Sequence, residues 1–143
     1  MTIRSSAFTE NQAIPKKYSC DGENVSPPLE LKELPRNTES LVLICDDPDA
    51  PGKTFLHWLA YDIEPTGSIA EGQSIGTEGK NDFGKNGYGG PCPPGGTHRY
   101  YFRVYAVDTK LGIKPGASRA DVESAMSGHV LDQAELMGRY ARQ

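Results

Sequence analysis

The chain of 143 residues suits a single domain, 1–143, that buries roughly 68–70% of the surface its unfolded form exposes. Its formal net charge of −4, with no dense run of lysine and arginine, excludes a nucleic-acid stripe or an anionic-membrane patch, so any anion must be captured locally. The N-terminal Met1-Thr2-Ile3-Arg4-Ser5-Ser6 lacks the apolar stretch of a secretion signal, and the longest apolar run, residues 41–45, is too short for membrane insertion. A cytoplasmic protein is expected.

Sixteen glycines and eleven prolines cut the chain into pieces too short for most helices and well sized for strands, which favours a β-sandwich or barrel. Residues 40–45 form a continuous β-favouring run that suits a strand covered on both faces, ending in the turn-forming Asp46-Asp47-Pro48-Asp49-Ala50-Pro51. In the next strand, residues 55–63, alternation puts Phe55, His57, Leu59, Tyr61 and Ile63 on one face and Leu56, Trp58 and Ala60 on the other. A third strand over 97–107 points His98, Tyr100, Phe102, Val104 and Ala106 one way and Arg99, Tyr101, Arg103, Tyr105 and Val107 the other. Trp58 and Tyr105 read as core.

Toward the C-terminus, Ser118 stands three residues before Asp121 as an N-cap, Val122, Ala125 and Met126 follow at helical spacing, and Gly128 is the stop. Val130, Leu131, Ala134 and Met137 then predict a second helix, with His129 at the junction. The three cysteines, Cys20, Cys45 and Cys92, are odd in number and lack C-x-x-C spacing, so reduced thiols are expected; a Cys20–Cys92 bridge is the alternative if two loops meet.

The unusual chemistry is concentrated in residues 47–51 and in the Gly/Pro-rich loop 88–97, each stiffened by prolines that fix φ. Glycines there would let backbone N–H groups approach an anion, although such loops are more often plain turns. Histidines adjoin both loops: Asp47 and Asp49 would orient His57 and His98, with the Tyr100 hydroxyl as a further donor. Opposite charges about 4 Å apart attract by roughly 4 kcal/mol at an effective dielectric of 20, enough to keep an imidazole protonated against some desolvation.

Taken singly, the aspartates would be turn residues and His57 a satisfied core histidine. The same four side chains could ligate zinc or iron, but no local H-x-x-x-H spacing supports a metal, and no cofactor is expected. Acid–base catalysis by His57 or His98 lacks an activated nucleophile, the only neighbour being Cys92 between Pro91 and Pro93.

These residues resemble the phosphatidylethanolamine-binding proteins, also called Raf-kinase-inhibitor-like proteins, in their short bacterial and archaeal form. The resemblance is carried by Asp47-Pro48-Asp49-Ala50-Pro51 with His57-Trp58, by Gly89-Gly90-Pro91-Cys92-Pro93-Pro94 with His98-Arg99-Tyr100, and by residues 18–29, 128–131 and 135–138. It implies a mainly β fold: a sandwich of two antiparallel sheets with a short C-terminal helical segment. It also implies a surface pocket for phosphate or phosphoryl head groups, lined by Asp47, Asp49, His57, His98 and Tyr100 beside Gly90, Pro93 and Pro94. The segment between Pro51 and His57 is shorter than in eukaryotic members, so Phe55 matches their pocket aromatic only approximately, and their terminal extensions are missing.

The expected function is non-enzymatic binding of a phosphorylated small molecule, head group or phospho-side chain, with a regulatory role. One alternative is a protease or kinase inhibitor acting through a protein–protein interface; the other is a small hydrolase using His57 or His98. Short members of the family pair, so a homodimer is also expected.

Overall fold

The computed structural model describes residues 1–143. Two antiparallel sheets face each other. The smaller has the order β1 (Thr2–Arg4), β2 (Leu29–Lys32), β5 (Ser68–Ile69). The larger runs β6 (Thr77–Glu78), β4 (Phe55–Ile63), β3 (Ser40–Asp47), β7 (His98–Val107), β8 (Val130–Tyr140). One helix, α1 (Arg119–Met126), follows β7, and none is long and apolar enough to cross a membrane.

The core between the sheets takes Ile3, Leu29, Leu31 and Ile69 from the small sheet and Leu41, Leu43, Cys45, Trp58, Phe102, Val104 and Leu136 from the large one. A second cluster lies on the outer face of the large sheet. There Val42, Ile44, Leu56, Leu59 and Tyr61 pack against Val122 and Met126 of α1, with Leu111 and Ile113 of the preceding loop. Strand β3 is thus covered on both faces, as its unbroken apolar run predicts. It also extends two residues beyond the expected end, so that Asp46 and Asp47 belong to the strand and are buried rather than lying in the turn.

Strict alternation in β4 does not hold. Cys45 pairs with Trp58 but Asp46 with Leu56, leaving His57 as an extra residue, and a second irregularity follows between the Leu43–Ala60 and Leu41–Ile63 pairs. Each bulge switches the face of the residues beyond it. Trp58, Ala60 and Ile63 therefore point into the sandwich, while Leu56, Leu59 and Tyr61 point outward.

The N-cap prediction matches the structure: the Ser118 hydroxyl accepts the Asp121 N–H at 3.1 Å, and α1 ends two residues before Gly128. The second helix is corrected to strand β8, which pairs with β7 from His98–Tyr140 to Val107–Val130. Its buried residues, Leu136, Gly138 and Tyr140, repeat every second position, whereas Val130 and Leu131 of the supposed helical stripe are exposed. Long-range pairing has overridden local periodicity. Gly138 belongs in this strand because a Cβ there would come within 2.5 Å of Ile14.

The expectation of reduced Cys20 and Cys92 is overturned: they form a disulfide, and only Cys45 is free and buried. Three hydrogen bonds bring their loops together, from Cys20 N–H to the Pro91 carbonyl at 3.0 Å, from Gly90 N–H to Asn24 Oδ1 at 2.8 Å and from the Tyr88 hydroxyl to the Tyr18 carbonyl at 2.7 Å. The two Cα atoms lie 5.4 Å apart, within bridging range. The bond spans 72 residues, so changing both cysteines to serine should cost about 4 kcal/mol through the restored freedom of the unfolded chain. Urea unfolding of the double variant, with and without reductant, measures this.

Candidate ligand-binding site

Where β3, β4 and β7 reach the same end of the sandwich, a cavity of about 310 Å³ opens to the surface. Its polar lining is Asp47, His57, His98 and Tyr100, and its apolar wall includes Phe55, Phe83, Pro51 and Pro93. Strand pairing places these groups: Asp47 ends β3, the bulge carries His57, and His98 and Tyr100 share the inward face of β7.

Asp47 is 2% exposed and both of its oxygens are used. Oδ2 accepts a hydrogen bond from His98 Nδ1 at 2.6 Å, and Oδ1 accepts the Asp49 N–H at 2.8 Å, an Asx turn that shapes residues 47–49. The Asp47 carboxylate is thereby held by two donors at the edge of the cavity.

Asp49 is placed outside the cavity lining. Its oxygens accept Arg99 Nε at 2.9 Å and Nη2 at 2.7 Å, a bidentate pair, and Oδ2 also accepts the Arg99 backbone N–H at 2.9 Å. The guanidinium holds the Asp49 carboxyl down to about 2. Asp49 thus fastens the 47–51 loop to β7 one residue beyond His98, a positioning role.

His57 donates Nδ1–H to the Gly89 carbonyl at 2.7 Å, and the Gly89 N–H returns a bond of 2.9 Å to the His57 carbonyl. Burial pushes the His57 imidazole below its ordinary range, against smaller raising effects from the Gly89 carbonyl and Asp47. The expected imidazolium at this position is therefore corrected to a neutral ring at pH 7, with Nδ1–H given to the Gly89 carbonyl.

Tyr100 is 1% exposed and its hydroxyl is left without a hydrogen-bond partner. Burial, and then the Asp47 carboxylate, which lies beside the hydroxyl but outside hydrogen-bond geometry, raise its pKa far above the usual phenol range, so it stays a donor at any ordinary pH. An orphaned buried hydroxyl costs about 1–3 kcal/mol, which a ligand oxygen would recover.

Gly90 lies beneath the site rather than in it. Its N–H is spent on Asn24 Oδ1, and a Cβ would come within 2.2 Å of the Tyr18 carbonyl, so glycine is required by the approach of the 18–24 loop. The Gly89 amide is engaged as well, so neither of these two amides is free for an anion. Pro93 and Pro94 do line the cavity, as does Cys92, whose sulfur is committed to the disulfide.

Phe83 is absent from the sequence reading. It lies 45% exposed at the rim, its ring 4.8 Å from Phe55 and 5.4 Å from His57. The loop bearing it is pinned to β4 by Leu56 N–H to Asp82 Oδ2 at 2.8 Å and Asp82 N–H to the Leu56 carbonyl at 2.9 Å. The available signal was an aromatic placed within the turn-forming Asn81-Asp82-Phe83-Gly84. No three His, Cys, Asp or Glu side chains converge closely enough to hold a metal ion.

Because the folded pKa of His57 is lowered, the native state binds fewer protons there than the unfolded chain. Its contribution to stability is complete above about pH 6.5 and declines as pH falls through the folded value. Proton NMR titration should show the His57 midpoint below the ordinary imidazole value of about 6.5.

The chain is similar to known proteins in both sequence and structure. A family model described as phosphatidylethanolamine-binding protein matches residues 4–141. The UPF0098 protein of Methanothermobacter thermautotrophicus is 48% identical, with 99% of each chain covered, and that of Chlamydia trachomatis is 44% identical, again with 99% of each covered. Among solved structures, the phosphatidylethanolamine-binding protein homolog CT736 from Chlamydia trachomatis superposes with a TM-score of 0.96 at 42% identity, covering 99% of this chain and 97% of its own. YbcL of E. coli, described as a member of the mammalian PEBP family, gives 0.91 at 28% identity, with 99% and 98% covered.

Proposed function

This chain belongs to the phosphatidylethanolamine-binding protein family, and from that premise we propose that it is a non-enzymatic receptor for phosphate-like anions or phosphorylated ligands. The observation that carries the reading is the Tyr100 hydroxyl, buried, unpartnered and part of the cavity lining. A phosphoryl oxygen would accept from it, and from His98 Nε2–H when that ring is protonated and anchored through Nδ1 to Asp47.

The apolar wall supports an ester rather than a bare ion. The cavity volume matches the lower end of small-molecule sites, and Phe55, Phe83 and Pro93 offer an apolar surface to the group bearing the phosphate. The hydrolase reading is less well supported, since the one thiol beside the pocket, Cys92, is consumed in a disulfide and cannot act as a nucleophile. A cytoplasmic location remains part of this proposal, and would expose that disulfide to cellular thiols.

Substitution at Asp47 or His98 breaks a buried hydrogen bond to a carboxylate and should cost about 1.5–3 kcal/mol, confusing loss of contact with loss of fold. Tyr100→Phe is the cleaner test. It removes an unsatisfied hydroxyl, so the variant should melt no lower than the parent, while phenyl phosphate binding should weaken about tenfold or more in calorimetric titration. Undiminished binding would remove the hydroxyl from the site. Phosphoethanolamine and a phosphotyrosine peptide, titrated alongside, separate a head-group ligand from a phosphorylated partner.

A further inference from the structure

One wall of the cavity is held differently from the others. Cys92, Pro93 and Pro94 contribute to the lining, yet no hydrogen bond joins residues 92–97 to the rest of the chain. Ordered backbone pairing stops at the Pro91 carbonyl, which accepts from Cys20 N–H, and resumes only at His98 in β7. Between those points the attachments are the disulfide to Cys20 and the packing of buried Pro93. Both cysteines are partly exposed, and residues 94–97 lie in solvent, so a small thiol can reach the bond.

We infer that the Cys20–Cys92 disulfide is a redox control on the pocket: the oxidised bond holds the 92–97 wall in its ligand-receiving shape, and reduction releases the wall and weakens binding. The inference rests on the anion-binding reading above and adds regulation to it. The exchange is a two-electron reduction by a dithiol. A reductant thiolate attacks one sulfur of the bond, its second thiol resolves the mixed disulfide, and the reductant leaves as its own disulfide. Its two protons end on Cys20 and Cys92 as thiols.

The consequence stays local. The Gly90–Asn24 and Tyr88–Tyr18 hydrogen bonds and the His98–Asp47 pair do not involve either cysteine, so the polar floor of the pocket is expected to persist while its wall loosens. The prolines limit φ along the released segment, whereas Gly95 and Gly96, where an added Cβ would meet nothing within 4 Å, let it swing. If about a tenth of the reduced population keeps the receptive shape, apparent affinity falls about tenfold.

Calorimetric titration with phenyl phosphate tests this on the oxidised protein, on the protein reduced with dithiothreitol, and on Cys20→Ser kept in reductant, which removes the tie without altering a side chain of the wall. Thermal melts establish that each form is folded at the titration temperature. Binding about tenfold weaker in both tie-less forms is expected. Equal or tighter binding in them overturns the redox inference and leaves the pocket assignment intact. Absence of binding by the oxidised protein overturns the pocket assignment and the redox inference together.

Discussion

Strand β3 is buried on both faces from Ser40 to Asp47, so each polar side chain it carries has to be satisfied inside the protein. Ser40 donates to the Thr109 carbonyl at 2.6 Å and so fastens the loop after β7. Asp46 faces outward under α1 and accepts from Arg119 at 2.8 Å and Arg103 at 3.2 Å, binding helix and sheet together. Asp47 faces inward and takes His98 and the Asp49 amide. One buried strand end, bearing two carboxylates on opposite faces, thus anchors the helical cover on one side of the sheet and builds the polar floor of the cavity on the other.

The bulge at His57 belongs to the same economy of position. Without the extra residue the β4 alternation would carry His57 to the face of Leu59 and Tyr61, under the outer cluster and away from Tyr100. With it, His57 stands at the cavity, edge-on to the Tyr100 ring at 5.2 Å, while Trp58 keeps its place in the core. Bulges beside a ligand site are a familiar means of re-aiming one side chain without disturbing the ladder around it.

What the sequence makes legible follows from how local each signal is. Strand β3, the cap of α1 and the shared inward face of His98 and Tyr100 depend on neighbours a few residues away, and they can be read directly. Strand β8 could not be read this way, because its conformation is imposed by pairing with β7 rather than by its own periodicity. The bulge, the Cys20–Cys92 pairing and the rim position of Phe83 all depend on which distant segments meet. Asp49 and Gly90 mark the same limit inside the site. Residue type and spacing brought both to attention, but only geometry separates a carboxylate that clamps Arg99, or a glycine that admits the 18–24 loop, from groups that line the cavity.

The tautomer of His57 carries a further meaning. With Nδ1–H given to the Gly89 carbonyl and the ring neutral, Nε2 presents a lone pair rather than a proton. No lysine or arginine lines the cavity to compensate. Under the anion-binding proposal, the Tyr100 hydroxyl would donate from one side and His57 Nε2 would accept on the other, so the best-fitting anion would bring a proton of its own. Hydrogen phosphate and singly protonated phosphate esters would satisfy that demand, and sulfate, fully ionised in water, would not. The pocket would then tell two tetrahedral oxyanions of nearly the same size apart by what they can donate.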